Sequence, residues 1–290
     1  MKEILQQVKK IEISTKKLVD GLISGNYHSV FKGSGVEFSE IREYYPGDDI
    51  RSIDWNVTAR FNKPYVKNYI EERDLRVYFV LDISGSLSFG NTIEKRRKSI
   101  EIIASLMFSA LKNNDAVGLF LITENIELFI PVKKGRKHIL KILAKIISFS
   151  PRAKSTNLKN SLEGVSKIIK RRGVMFIISD FLSSDFSKPL KILKKRNDII
   201  AIRILDKREK EIPKIGYIQL EDEETGEQIL LDTSNNNFRE KFYKIMKEND
   251  LTINNIFKKY KIDCLNLFTD EDYEKPLKKF FKIKKFRSIR

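Results

Sequence analysis

"LRVYFVLDISGS", residues 75 to 86, decides the fold. Apolar residues run unbroken from Val77 to Leu81, as in a strand covered on both faces of a sheet. The run stops on Asp82, and Ser84, Gly85 and Ser86 follow at once. Alternation puts Asp82, Ser84 and Ser86 on a common side of an extended loop, and Gly85 lets that loop fold tightly.

Working outward, the same texture returns. "AVGLFLIT" (116–123), "VMFIISD" (174–180) and "DIIAIRIL" (198–205) read as three further buried strands, and "IELFIPV" (126–132) as the hairpin partner of the first of them. Helical spacing separates them, over 93–111, 136–147, 157–172 and 187–196. Gly173 stands where a helix over 157–172 would end. A polar hairpin (217–231), a long helix through Phe238 and Phe257, a strand "DCLNLF" (263–268) and a basic terminal helix complete the chain. Strands alternating with helices imply crossover connections and a mostly parallel sheet flanked by helices, a Rossmann-like α/β class. Before it, residues 1–24 read as a helix, 25–64 as turn-rich and 65–72 as a strand. The expected division is therefore an N-terminal helix plus turn- and β-rich extension over 1–72, then an α/β domain with C-terminal helices and a basic tail over 73–290.

Ligands of an open parallel sheet bind outside the carboxyl ends of its strands. Asp82 ends the first core strand, Asp180 ends the third, and Thr156 lies in the loop "PRAKSTNL" just before a helix. Three distant segments thus bring small oxygen-bearing side chains to one edge. Such a set suits a hard cation: Mg2+ takes six oxygens in octahedral geometry and keeps some of its waters, and Mn2+ or Ca2+ accept similar donors. The bland alternative, an Asp/Ser cluster capping the next helix, accounts for one or two hydroxyls but not for Thr156 and Asp180.

Asp-x-Ser-x-Ser after a buried strand, with a later Thr and a later Asp, resembles the metal-ion-dependent adhesion site of the von Willebrand factor A domain. That resemblance implies direct metal ligation by Ser84, Ser86 and Thr156, and ligation by Asp82 and Asp180 directly or through water. It also implies a sixth position filled by an acidic side chain of a protein partner. A second resemblance is more specific. "YYPGDDIRSIDWNVTAR" (44–60) ahead of an A-type domain is similar to the bacterial family called domain of unknown function 58, over roughly residues 25 to 270. The family is commonly encoded beside MoxR-type AAA+ ATPases, which implies an adaptor or chaperone-like partner of such an ATPase or its client. Read physically, Arg51, Arg60 and the carboxylates of this block form a paired network, because a buried charge without a partner is costly.

Other function classes fare less well. "GSLSFG" (85–90) spaces its glycines wrongly for a nucleophile elbow, and no Gly-x-x-x-x-Gly-Lys loop exists. The histidines, His28 and His138, read as solvated surface residues, so catalysis is not expected. The formal charge of +17, from 56 basic and 39 acidic residues, invites a nucleic-acid or anionic-membrane reading. The excess is spread along the chain except in the tail from Lys275 to Arg290, where eight basic residues meet no acidic one. The tail alternates Phe280, Phe281 and Phe286 with lysines, a pattern that also fits a terminal helix burying its phenylalanines on the sheet. No apolar run is long enough to span a bilayer, no secretory signal is legible, and a single cysteine, Cys264, excludes an internal disulfide. Together these suit a cytoplasmic, metal-dependent protein-binding module.

Overall fold

A computed structural model describes residues 2–23, 37–61, 63–70, 75–84, 92–153, 155–183, 185–209, 212–221 and 228–289. The chain forms two compact units: residues 1–30 with 76–290, and residues 31–75.

The larger unit is built on a six-stranded sheet. Its strands are β3 (Arg76–Asp82), β4 (Ala116–Ile122), β5 (Ile126–Lys133), β6 (Val174–Ile178), β7 (Asp198–Leu205) and β10 (Asp263–Phe268), in the order β10-β7-β6-β3-β4-β5. All neighbours are parallel except β5, which closes one edge antiparallel to β4. The helices are α1 (Lys2–Ile23), α3 (Thr92–Lys112), α4 (Arg136–Ser148), α5 (Leu158–Ile168), α6 (Ser187–Lys194), α7 (Asn236–Lys259) and α8 (Glu274–Ile289). A small antiparallel pair, β8 (Tyr217–Glu221) and β9 (Gln228–Asp232), precedes α7. This is the α/β class expected, a mostly parallel sheet flanked by helices, as in the von Willebrand factor A-like fold.

Period-two alternation sorts the core onto two faces. Tyr78, Val80, Phe120, Ile177, Ile199 and Ala201 point one way and pack under Leu158, Leu162 and Val165 of α5, Leu190 and Leu193 of α6, and Phe257 of α7. The other face carries Phe79 and Phe176, stacked at 5.3 Å, and Phe281 of α8 lies 6.4 Å from Phe176. Each fully buried side chain of this size contributes about 1.5–3 kcal/mol.

Several expectations change. The first helix belongs with the sheet rather than with the extension: α1 packs on α3 and α4, with Val8, Leu18 and Val19 buried. Helix α5 ends at Ile168, not near 172, so Gly173 is no helix terminator. A Cβ at Gly173 would lie 2.4 Å from the Arg76 carbonyl oxygen and 2.8 Å from the Tyr78 ring, so the bare glycine lets the chain enter β6 close against β3. His138 is half-buried on α4, with Nε2 donating to the Val117 carbonyl at 2.9 Å. His28 lies outside the described residues.

In the smaller unit, β1 (Glu37–Glu43) pairs antiparallel with β2 (Tyr65–Ile70), and the short helix α2 (Trp55–Phe61) lies between them in sequence. Its carboxylates do form a network, but with other cations than expected. Arg42 meets Asp48 through two parallel bonds of 2.7 and 2.8 Å, and Lys67 pairs with Asp54 at 3.3 Å. Asp48 also accepts from the Tyr45 amide, and Arg42 holds its carboxyl down at about 2. Asp54 caps α2 by accepting from the Asn56 and Val57 amides, and Asp49 caps a 3-10 turn at Ile50–Ser52. Arg51 and Arg60 are exposed.

Candidate metal centre at the sheet's carboxyl edge

From β3 the chain runs to β4 and β5 on one side, then returns to place β6 and β7 on the other. The strand order therefore reverses between β3 and β6, and such a switch point opens a crevice beyond the strand ends. Asp82 is the last residue of β3, and Asp180 follows β6 by two residues.

Both carboxylates are buried, at 0% and 1% exposure. Asp82 is held by three donors. Oδ1 accepts from the Ser84 amide at 3.0 Å and the Ser84 hydroxyl at 2.6 Å, and Oδ2 accepts from the Ser179 hydroxyl at 2.8 Å. Burial and the neighbouring charge of Asp180 nevertheless raise its carboxyl to about 6, against the lowering pull of Ser84 and Ser179. Asp180 is held differently. Its Oδ1 accepts from the Leu182 amide at 3.0 Å, while Oδ2 is buried with no hydrogen-bond partner among the described residues. An orphaned buried acceptor costs about 1–3 kcal/mol, so it marks a place for a ligand.

The backbone after Asp180 is forced. Phe181 sits at φ +61°, a left-handed conformation unfavourable for a bulky side chain. Its amide donates to Ser179 Oγ, and its ring packs against Phe186 at 5.6 Å and edge-on to Phe257 of α7 at 5.1 Å. Aromatic packing therefore sustains the turn that carries Asp180, whose charge is felt by Asp82 at the end of β3.

Thr156 is half-buried in the loop before α5. Its neighbours tie that loop to the same edge: the Asn157 amide donates to the Thr123 carbonyl at the end of β4, and the Leu158 amide donates to the Ser183 hydroxyl after β6. Ser86 lies outside the described residues. The structure thus brings Asp82, Ser84 and Asp180 into one buried cluster and sets Thr156 on the same rim.

The donors fit a hard divalent cation. They are carboxylate and hydroxyl oxygens from separate segments, with one carboxylate oxygen left over. No group of three or more His, Cys, Asp or Glu side chains converges among the described residues, so the candidate set depends on hydroxyl donors beside its two carboxylates.

Two participants escaped the sequence reading. Ser179 stands one position before Asp180 at the end of the apolar run of β6, the signal that singled out Asp82. Arg203 is a lone cation in the apolar run "DIIAIRIL", and it is 1% exposed. Its Nε donates to the Asp180 carbonyl at 3.1 Å, and its Nη2 donates to Asp250 of α7 at 2.8 Å. Nearby, fully buried Lys95 pairs with Glu209, whose carboxyl is raised by burial and, more weakly, by Asp180.

Fold and site define an α/β protein with an oxygen-lined, partly saturated carboxylate pair at its switch point. Residues 40–252 match the family described as Protein of unknown function DUF58, and the chain belongs to that family. An uncharacterized protein of Mycobacterium tuberculosis is 32% identical over 223 residues, covering 76% of this chain and 70% of that one. Among solved structures, an aerotolerance-related membrane protein from Bacteroides fragilis aligns with a TM-score of 0.49 at 14% identity, over 73% of this chain and 99% of its own. Proximal thread matrix protein 1 of the mussel byssus, solved with a zinc-occupied MIDAS motif, aligns with a TM-score of 0.37 at 16% identity, over 45% of this chain and 38% of its own. Among the described residues of the present chain, no helix is long and apolar enough to cross a membrane.

Proposed function

We propose that this chain is a metal-dependent protein-binding module and not an enzyme. Mg2+ is held by Ser84, Ser86 and Thr156, with Asp82 and Asp180 contributing directly or through water, and an open position takes a carboxylate from a partner protein. The observation that supports this most is the asymmetry of the two aspartates. Asp82 is hydrogen-bonded at both oxygens, whereas buried Asp180 keeps Oδ2 without a partner among the described residues. A buried carboxylate oxygen left without a partner suits a bound hard cation.

Specificity belongs to the surrounding loops, because the metal chemistry is generic. A cavity of about 450 Å³ beside the site, lined by Phe181, Leu182, Ser183, Asn249, Thr252 and Ile256, offers partner side chains a mixed polar and apolar seat. The partner is a MoxR-type AAA+ ATPase or its client; the family resemblance carried by residues 44–60 supports this assignment. The basic-tail reading is weaker, since α8 spends its residues on the fold: Phe281 is buried and Lys284 pairs with Asp198 and Asp263.

Capture from native lysate tests the proposal, with wild type and the Ser84→Ala/Ser86→Ala variant compared in Mg2+ and in EDTA. Retention of a partner by the wild type in Mg2+ alone is the expected result. Capture indifferent to EDTA and to the serines, but lost with salt or nuclease, would replace it with a basic-surface function.

A further inference from the structure

Arg203 is a charge inside a buried parallel strand, where an ionised side chain is costly unless it is paired and hydrogen-bonded. Its two described bonds diverge. One reaches the main-chain carbonyl of Asp180, and the other reaches the carboxylate of Asp250, two turns before the end of the long helix α7. Helix α7 touches the same turn a second time, where Phe257 packs edge-on against the strained Phe181. Two independent contacts thus link one helix to adjacent residues of the site.

We infer that Arg203, held by Asp250, is a positioning residue of the metal centre, and that α7 thereby supports the site. The inference rests on the reading that Asp180 helps to hold a metal. A rigid guanidinium donating to the Asp180 carbonyl fixes the main chain from which the Asp180 carboxylate projects, and Asp250 keeps that guanidinium turned toward α7. Without Asp250 the guanidinium loses the anion that turns it toward α7, and the Asp180 main chain loses a fixed support.

The test is calorimetric titration of Mg2+ into the metal-stripped full chain, paired with thermal unfolding in EDTA and in Mg2+. Wild type, Asp250→Asn, Arg203→Lys and, as a control on an exposed position of α7, Glu248→Gln are compared. Asp250→Asn and Arg203→Lys are expected to bind roughly 10–100-fold more weakly, the usual cost of removing a group that orients a metal ligand. Their Tm gain on adding Mg2+ shrinks, while Glu248→Gln matches the wild type. A merely structural role would lower Tm equally with and without metal and leave the affinity unchanged, and that result overturns the inference while the metal site stands. A wild type that takes up no Mg2+ overturns the metal reading and this inference together. Should Arg203→Lys fail to fold, Asp250→Asn decides alone, because Asp250 lies at the partly exposed end of the pair.

Discussion

The hydroxyl of Ser179 donates to Asp82 Oδ2 at 2.8 Å, so the residue preceding one aspartate of the site restrains the other. The bond crosses from β6 to β3, the two strands that flank the switch point. It explains how two buried carboxylates can face one crevice and still differ: Asp82 is fixed by neighbours, and Asp180 keeps one oxygen in reserve.

Ser179→Ala removes that restraint and also the acceptor of the Phe181 amide beside Asp180. A hydrogen bond to a charged group contributes about 1.5–3 kcal/mol, so the variant should unfold at lower denaturant in EDTA at pH 7 by about that margin. Mg2+ affinity should fall several-fold, because Asp82 Oδ2 loses its donor while Oδ1 keeps Ser84, and the carboxyl moves further up. Unchanged affinity would remove Ser179 from the site.

The Asp82 carboxyl gives a pH signature with a definite sign. Its folded value of about 6 lies above the ordinary 3.8, so the native state binds this proton more tightly than the unfolded chain does. That contribution favours the metal-free fold below 3.8 and is lost as pH rises through about 6. Ionisation then costs on the order of 3 kcal/mol. In EDTA, the wild type should lose stability relative to Asp82→Asn as pH rises from about 3.8 to about 6, and Asp82→Asn should be the more stable at pH 7. Saturating Mg2+ should reverse the wild-type trend, because the metal binds the ionised form. Parallel pH profiles for the two proteins in EDTA would refute this.

Gly173→Ala tests the crowding at the entrance to β6. A methyl group cannot sit 2.4 Å from the Arg76 carbonyl oxygen, and main chain yields poorly, so a loss of about 1–3 kcal/mol or more is expected in urea unfolding. A neutral result would show that β3 and β6 are less tightly apposed at that point.

Phe281→Ala separates the two readings of the basic C-terminal segment. Phe281 is 1% exposed and reaches Phe176 in the sheet, so its truncation should cost about 3–5 kcal/mol. A freely exposed binding tail would tolerate the change with stability unaltered.

The legible parts of the molecule were those where burial writes itself into the chain. Continuous apolar runs marked β3, β4, β6 and β7, and the polar residues that end two of those runs located Asp82 and Asp180. The extension was harder to read. Strand β1, "EFSEIRE", mixes its faces across a bulge between Phe38 and Glu40, and α2 is a seven-residue helix with no buried residue, so neither carries a clean period. Apolar and basic residues continue past Ile168 and hide the end of α5, and the packing of Gly173 against β3 is a tertiary fact. Arg203 was visible as a lone charge in an apolar run, but its partners come from 23 residues upstream and 47 residues downstream, and no local pattern announces them.

The most direct measurement is titration of Mg2+ into the metal-stripped protein, followed by calorimetry, beside Asp180→Asn. The account expects one saturable Mg2+ per chain in the wild type and at least tenfold weaker binding when the orphaned oxygen is lost. A wild type that gives no saturable Mg2+ signal, or an Asp180→Asn variant that binds as tightly as the wild type, would contradict it.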